Sequence, residues 1–471
     1  MHKVARLAAV MGAVGAVALT LYAGRGSPQQ PWMFGPFEKP AQVNPVISPN
    51  PNVGWEAYAT FNPAAAVKDG KIFLLYRAED ATGTQQIGGH TSRLGLAEST
   101  DGLHFTRRAT PVLYPDTDAQ RQYEWPGGVE DPRLVESDDG TYILTYTQWN
   151  RDVPRLAVAT SRDLISWTKH GPAFARVGGQ YMRTESKSGA ILSRIEGNRI
   201  VATRVNGKYW MYFGVPDLRI ATSDNLLEWT PLEDSHGQAV KVLSARPGYF
   251  DSWLVEAGPP ALLTDRGILV LYNAGSLPSR TYSAGQALFD SRDPTKLIAR
   301  SDSAFIKPTE SYERTGQYTA GTTFVEGLVP FQGRWYLYYG TADSRVGVAV
   351  WDPQGPAERI VGTWHGQSTC VDKEVDRACK DEEVIYEIDS AAGPRGPVRI
   401  SADKIVNGVR ENMGVFRLNY DFSADQWFAD LQTRMRARWT FVPRGNSIVG
   451  DLSELPAHRL VRRIAVRRVV Q

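Results

Sequence analysis

DGKIFLLYRAED (69–80), DDGTYILTYTQW (138–149), NGKYWMYFG (206–214), DRGILVLYNAG (265–275) and QGRWYLYYGTADS (332–344) are five copies of one unit. Each is a turn ending in glycine, followed by a run rich in aromatic and β-branched residues that reads as a strand. The glycines are Gly70, Gly140, Gly207, Gly267 and Gly333, at steps of 70, 67, 60 and 66 residues. A second unit keeps its own rhythm: LAESTDGLHF (96–105), VATSRDLISW (158–167) and IATSDNLLEW (220–229), with Ser99, Ser161 and Ser223 each 62 apart. A looser copy, ALFDSRDPTKL (287–297), carries Ser291. Four copies of a serine turn argue for architecture and against a nucleophile. Strand-rich units at a fixed period, with little helix between them, predict an all-β five-bladed β-propeller. A pair of stacked sheets leaves the period unexplained.

The chain has 471 residues, 42% hydrophobic and 22% charged, which excludes a disordered protein. With 13 Trp, 20 Tyr, 16 Phe, 43 Gly and 29 Pro it suits short strands and turns, not long helices. A net charge of +2 leaves no electrostatic footprint for nucleic acid. Residues 1–25 join a basic start (His2, Lys3, Arg6) to an apolar run from Leu7 to Ala23. That pattern reads as a cleaved signal peptide or an uncleaved anchor, and the anchor is the only membrane contact expected. Both place the protein outside the cytoplasm, in the periplasm, on the cell envelope or secreted. The only cysteines, Cys370 and Cys379, are close in sequence and are expected to form a structural disulfide.

The propeller is expected over 40–352. Beyond it, alternating segments such as VIYEIDS and RWTFVPR predict a smaller all-β domain over 360–471, either a barrel or a sandwich. Its arginine-rich last segment (Arg459, Arg462, Arg463, Arg467, Arg468) reads as an edge strand kept from pairing by charge.

The densest polar stretch is WPGGVEDPRLV (125–135). Glu130 and Asp131 are adjacent carboxylates, and Arg133 falls on the same face as Asp131 in an extended chain. Burial and like charge raise one carboxyl pKa while an arginine keeps the other ionised, which makes an acid/base unit. The same residues also suit a capped turn with a salt bridge. Other candidates stand beside the repeated strands: Asn62 in FNPAA, then Arg77 and Asp80, Asp251 and Glu256 in FDSWLVEAGPP, Glu326 in FVEGLV, and Asp343. Carboxylates, an Asn and aromatic faces converging on a funnel suit a polyhydroxylated sugar. No P-loop, dinucleotide fingerprint or metal ligand set appears, so neither cofactor nor metal is expected.

In these motifs the chain resembles glycoside hydrolase family 130, which holds the β-mannoside phosphorylases and the β-1,2-mannosidases. FNPAA…LYRAED, GVEDPRL, SGAILS (188–193), GPPALLT (258–264) and YYGTADS carry the likeness from about Asn62 to Ala349. The resemblance implies a five-bladed propeller with Asp131 as the catalytic acid, acting through a sugar hydroxyl. It implies Asn62, Arg77, Asp80 and Asp343 around the sugar, and Lys187 as a phosphate contact in phosphorylases. The chain departs from the phosphorylase pattern at Asn273, where a Tyr-His-Gly histidine is missing. Glu256 also stands where a carboxylate would repel phosphate.

These residues lead to an exported, inverting β-mannosidase with Asp131 as acid, and with Glu256 first and Glu326 second as candidate base. Such a base stands roughly 6.5–9.5 Å from the acid. The rival is a β-mannoside phosphorylase holding inorganic phosphate on Lys187 and Arg204. A third reading is a sugar-binding propeller without catalysis.

Overall fold

The computed structural model describes residues 30–82, 88–375, 377, 379–390, 393, 396–421, 424–432 and 436–469. The N-terminal segment 1–25 read as signal or anchor lies outside them. Among the described residues no helix is long and apolar enough to cross a membrane.

All five repeated aromatic segments are strands: Lys71–Glu79, Tyr142–Trp149, Lys208–Phe213, Gly267–Gly275 and Arg334–Thr341. Each pairs antiparallel with the strand before it and the strand after it. Ala59–Lys68, Gly128–Glu136, Ala190–Glu196, Leu254–Ala257 and Phe324–Phe331 precede them; Ser92–Ser99, Arg155–Ser161, Leu218–Ser223, Tyr282–Phe289 and Arg345–Trp351 follow. Short outer strands such as Thr106–Arg107, Thr168–Pro172, Thr230–Pro231 and Leu297–Arg300 complete four of these five groups. In the fifth, the N-terminal segment takes the outer place, with Glu38 and Ile47 bridging Val350 and Val346.

The middle strands are buried on both faces, which is why they read as near-continuous apolar runs. Neighbouring groups share hydrophobic clusters. Leu74 and Tyr76 of the first group pack with Tyr338 and Val348 of the fifth, while Leu75 and Leu94 pack with Leu144 and Tyr146 of the second. Met211 and Phe213 of the third share a cluster with Val158 of the second, and Tyr212 and Ile220 meet Val270 of the fourth. Leu271 of the fourth joins Leu337 of the fifth.

The second unit makes identical turns. The Ser99, Ser161 and Ser223 hydroxyls accept the N–H groups of Gly102, Leu164 and Leu226 at 2.8–2.9 Å. In the looser copy the role passes to Asp290, whose carboxylate accepts from Arg292 and Asp293, and Ser291 is not used in this way.

The C-terminal strands form a closed eight-stranded barrel from Gly362–Cys370 to Arg459–Arg468, settling the choice between barrel and sandwich. Trp364, Tyr386, Trp427 and Phe441 fill its interior. The arginine-rich strand is not an edge: it pairs with Ser447–Glu454 on one side and with Gly362–Cys370 on the other, because it closes the barrel. Its arginines take up neighbouring acids and carbonyls instead, as Arg459 does with Asp372 and Arg462 with Glu382. Cys370 and Cys379 form the disulfide. Asp425 of the barrel pairs with Arg334 of the fifth group at 2.6 Å and with Arg359 at 3.1 Å.

The N-terminal strap is pinned by a buried pair, Lys39 Nζ to Glu313 Oε1 at 2.5 Å. Glu313, fully buried, also accepts from Tyr339 and from the N–H groups of Thr309 and Glu310. Removing one partner of a buried pair strands the other charge. Glu313→Ala is therefore expected to lower stability by about 3–5 kcal/mol in urea unfolding, and a loss below about 1 kcal/mol would contradict this account.

Candidate active site

Three of the leading strands are interrupted at the same place. Register shifts fall between Phe61 and Pro63, between Glu130 and Arg133, and between Val325 and Gly327. A bulge re-aims the side chain it carries. Asn62 and Asp131, each followed by proline, adopt left-handed backbone at φ 46° and 51°. The two side chains consequently meet, Asn62 Nδ2 donating to Asp131 Oδ1 at 2.9 Å. Space for Asn62 is made by Gly340, where a Cβ would lie 2.0 Å from Asn62 Oδ1. That oxygen is buried and has no hydrogen-bond partner among the described residues.

Arg77 sits beneath this pair. Its guanidinium reaches Glu79 at 2.7 Å, Glu130 at 2.9 Å and Asp131 at 3.1 Å, donates to Ser92, and lies over the Phe61 ring. These groups floor a cavity of about 340 Å³ with Lys187, Glu185, Glu256 and Asp343 around it. Phe324, Tyr282 and Tyr318 form one wall, the two tyrosines meeting edge-on at 5.4 Å, and Trp149 borders the cavity as well. Glu256, buried, accepts from the Ser188 hydroxyl and is paired with Lys187 Nζ at 3.4 Å.

Burial pushes the Glu130 carboxyl up to about 7, helped by Asp131 and Glu79 and opposed by Arg77. Asp343 is likewise raised by burial to about 7, again against Arg77. Burial acts on Asp131 too, but Arg77, Lys187 and the Asn62 hydrogen bond outweigh it and hold that group below the usual range. The adjacent carboxyls are thus driven apart as the sequence suggested, Glu130 upward and Asp131 downward. Lys187 is raised despite burial by Glu256 and Asp131.

Of the residues singled out in the sequence, Asn62, Arg77, Glu130, Asp131, Lys187, Glu256 and Asp343 line the cavity. Five others stand apart from it. Asp80 falls on the face opposite Arg77 and Glu79, as strand alternation requires, and binds Arg93 at 2.7 Å. Arg133 does not share a face with Asp131, because the bulge breaks the alternation. It is buried and donates to the carbonyls of Asp131, Ala257 and Gly258. Glu326, fully buried, pairs with Arg133 at 3.0 Å, and burial raises its pKa well above the ordinary range. Asp251 is enclosed by Arg246, Arg300 and the Tyr272 hydroxyl. Arg204 lies on an exposed hairpin, bonded to the carbonyls of Gly207 and Asp224. Asn273 crosslinks to the backbone of Val325 through both ends of its amide.

The sequence reading missed Glu185, Ser188 and Gln317. Gln317 donates to Glu79 and to the Asp343 carbonyl, tying the loop before the fifth group to the floor. Only Ser188 had a signal, in its place within KSGAIL.

Paired carboxylates, an uncommitted amide oxygen and an aromatic wall at the mouth of packed antiparallel sheets define a carbohydrate-active enzyme. The chain belongs to glycoside hydrolase family 130: the family model described as beta-1,4-mannooligosaccharide phosphorylase matches residues 36–355. A glycosyl hydrolase structure from Bacteroides ovatus is 53% identical, with a TM-score of 0.67, covering 69% of this chain and 96% of that one. A second structure, 50% identical with a TM-score of 0.68, covers 70% of this chain and 97% of its own; it is described among family members that are "glycoside hydrolases that target beta-1,2 mannosidic linkages in Candida mannan". The 1,2-beta-oligomannan phosphorylase of Thermoanaerobacter sp. (strain X514) is 32% identical over 310 residues, 65% of this chain and 94% of its own.

A carboxyl whose pKa is higher folded than unfolded stabilises below the unfolded value and loses that contribution as pH rises through the folded one. For Glu130 the window runs from 4.5 to about 7. The wild type is expected to lose about 2–3 kcal/mol relative to Glu130→Gln between about pH 5 and about pH 8. Parallel urea stability curves for the two proteins across that range would refute the assignment.

Proposed function

We propose that this protein is an exported, inverting β-mannosidase acting on β-1,2-linked mannosides, built on a five-bladed β-propeller over residues 40–352 with an accessory domain over 360–471. The ring-like packing of five strand groups supports the propeller, and the disulfide supports an oxidising compartment. The linkage is taken from the description of the relative that is 50% identical.

One observation favours water over phosphate as the acceptor. Five carboxyl groups line the cavity, two of them, Glu130 and Asp343, raised to about 7, and the two cations are already paired with acids, Lys187 with Glu256 and Arg77 with Glu79, Glu130 and Asp131. A phosphate dianion entering such a field is repelled, while a neutral sugar is not. Asn273, at the position of the missing histidine, is committed to backbone and offers phosphate nothing.

In this reading the mannosyl unit rests on the Asn62–Arg77–Asp131 floor. Glu256 is the base. Held in place by Ser188 and Lys187, it takes a proton from water as that water attacks the anomeric carbon. The glycosidic bond breaks on the opposite face, and the leaving oxygen receives a proton from Asp131 relayed through a sugar hydroxyl. Asp131 is held ionised in the free protein; sugar binding expels water and raises its pKa, and the Glu130 proton is close at hand. Glu326, sequestered with Arg133, is set aside as base. Lys187 in the cavity favours a second reading, phosphorolysis, as in the phosphorylase relative.

Incubated with β-1,2-mannobiose and longer β-mannosides, residues 26–471 are expected to release free mannose without phosphate, first as the α-anomer by NMR. Asp131→Asn and Glu256→Gln should each lower kcat by about 10²–10⁴-fold. Mannose 1-phosphate formed only with added phosphate would replace this reading with the second. Binding unchanged in Asp131→Asn, with no turnover in either protein, would leave a non-catalytic module.

A further inference from the structure

A second cavity, of about 530 Å³ and thus larger than the candidate active site, opens between segment 108–120 and the turn at 165–169, beside the outer strands of the first two groups. Its walls are large apolar side chains left open to solvent: Tyr114 is 41% exposed and Ile165 40%, and Trp167 stands beside them. Contiguous exposed apolar side chains in a concave, polar-rimmed site mark a binding surface. The repeat itself provides a contrast. Of the corresponding aromatic residues, Trp229 is fully buried and Phe105 packs edge-on against Tyr338. Trp167 instead borders the cavity, its ring fixed by an indole N–H bond to the Leu164 carbonyl at 3.1 Å.

The polar groups identify the ligand chemistry. Lys169, the cation in the floor, is spent on three acceptors: Glu124 at 2.5 Å, the Tyr114 carbonyl at 2.7 Å and Asp118 at 3.0 Å. It therefore offers an anion no free charge; the exposed Arg108 is the other cation in the lining, with the Asp116 and Asp118 carboxylates at the rim. What remains is a flat aromatic and aliphatic wall flanked by carboxylate acceptors and one guanidinium donor. That combination suits a neutral pyranose, whose C–H face packs on rings and whose hydroxyls donate to carboxylates.

The cavity also shares a strand with the candidate active site. Glu124, fully buried, takes Tyr146 Oη at 3.0 Å and Gln148 Nε2 at 3.1 Å, and Gln148 reaches Gln120 in the cavity lining. Thr147 and Trp149, on the other face of that same strand, line the candidate active site.

We infer that this cavity is a secondary binding site for a mannosyl unit of a polymeric substrate, holding the polymer while its end is cut elsewhere. The choice of sugar rests on the mannoside reading above; the pyranose chemistry does not. The test is affinity electrophoresis through gels containing β-1,2-linked mannan, with Asp131→Asn as the background so that the polymer is not consumed. Asp131→Asn should be retarded. Adding Tyr114→Ala and Ile165→Ser should weaken apparent affinity for the polymer by about three- to tenfold. In the active protein the same two changes should leave kcat/KM on mannobiose within about twofold, which also reports that the variant is folded. Equal retardation of both proteins, or no retardation of either, would each overturn the proposal. The hydrolytic reading is judged separately, by the mannobiose products.

Discussion

One buried guanidinium organises the candidate active site. Arg77 is 6% exposed and has three carboxylates within 3.1 Å, more negative charge than it can balance. Burying unbalanced charge is costly, and burial moves the Glu130 carboxyl up to about 7, toward its neutral form. Every other polar choice follows from that excess. Asn62 and Ser92 contribute donors to carboxylates, Lys187 contributes the second cation, and Gln317 fixes Glu79 from a loop some 240 residues away. The outcome is a cavity lined by carboxyl groups and by two cations that are each paired with an acid.

The strand order was legible because its signals are local and repeated. A glycine turn followed by an aromatic run identifies each middle strand, and a serine hydroxyl at a fixed spacing identifies the turn after the next. The floor of the site was legible only where residue type alone decides chemistry, as in the adjacent Glu130 and Asp131. What failed were inferences about direction. Alternation sends Asp80 away from Arg77, yet a bulge suspends alternation between Asp131 and Arg133. A bulge depends on pairing with the neighbouring strand, and that partner cannot be seen in the stretch that bulges. Arg204 and Asp251 failed for a different reason: their partners, Asp224 and Arg300, lie in other elements that a linear reading does not bring together.

The C-terminal barrel teaches the same lesson from the other side. Five arginines in one short segment invite an edge-strand reading, because charge is the usual guard of an unpaired edge. Ring closure is a property of the first and last strands together, and it leaves no edge to guard. The arginines then serve as tethers, Arg468 for instance reaching the carbonyls of Val361 and Arg359 where the barrel begins.

The strap near the start of the chain carries a temporal consequence. Asn44 exchanges hydrogen bonds with Val348 across 304 positions, and Glu38 and Ile47 bridge the same final strand. During vectorial synthesis these early residues have no partner until some three hundred more have emerged. This contact can therefore form only late in synthesis, by closure of a very long loop. Until then the flanks of the first and last sheets that it covers stay bare.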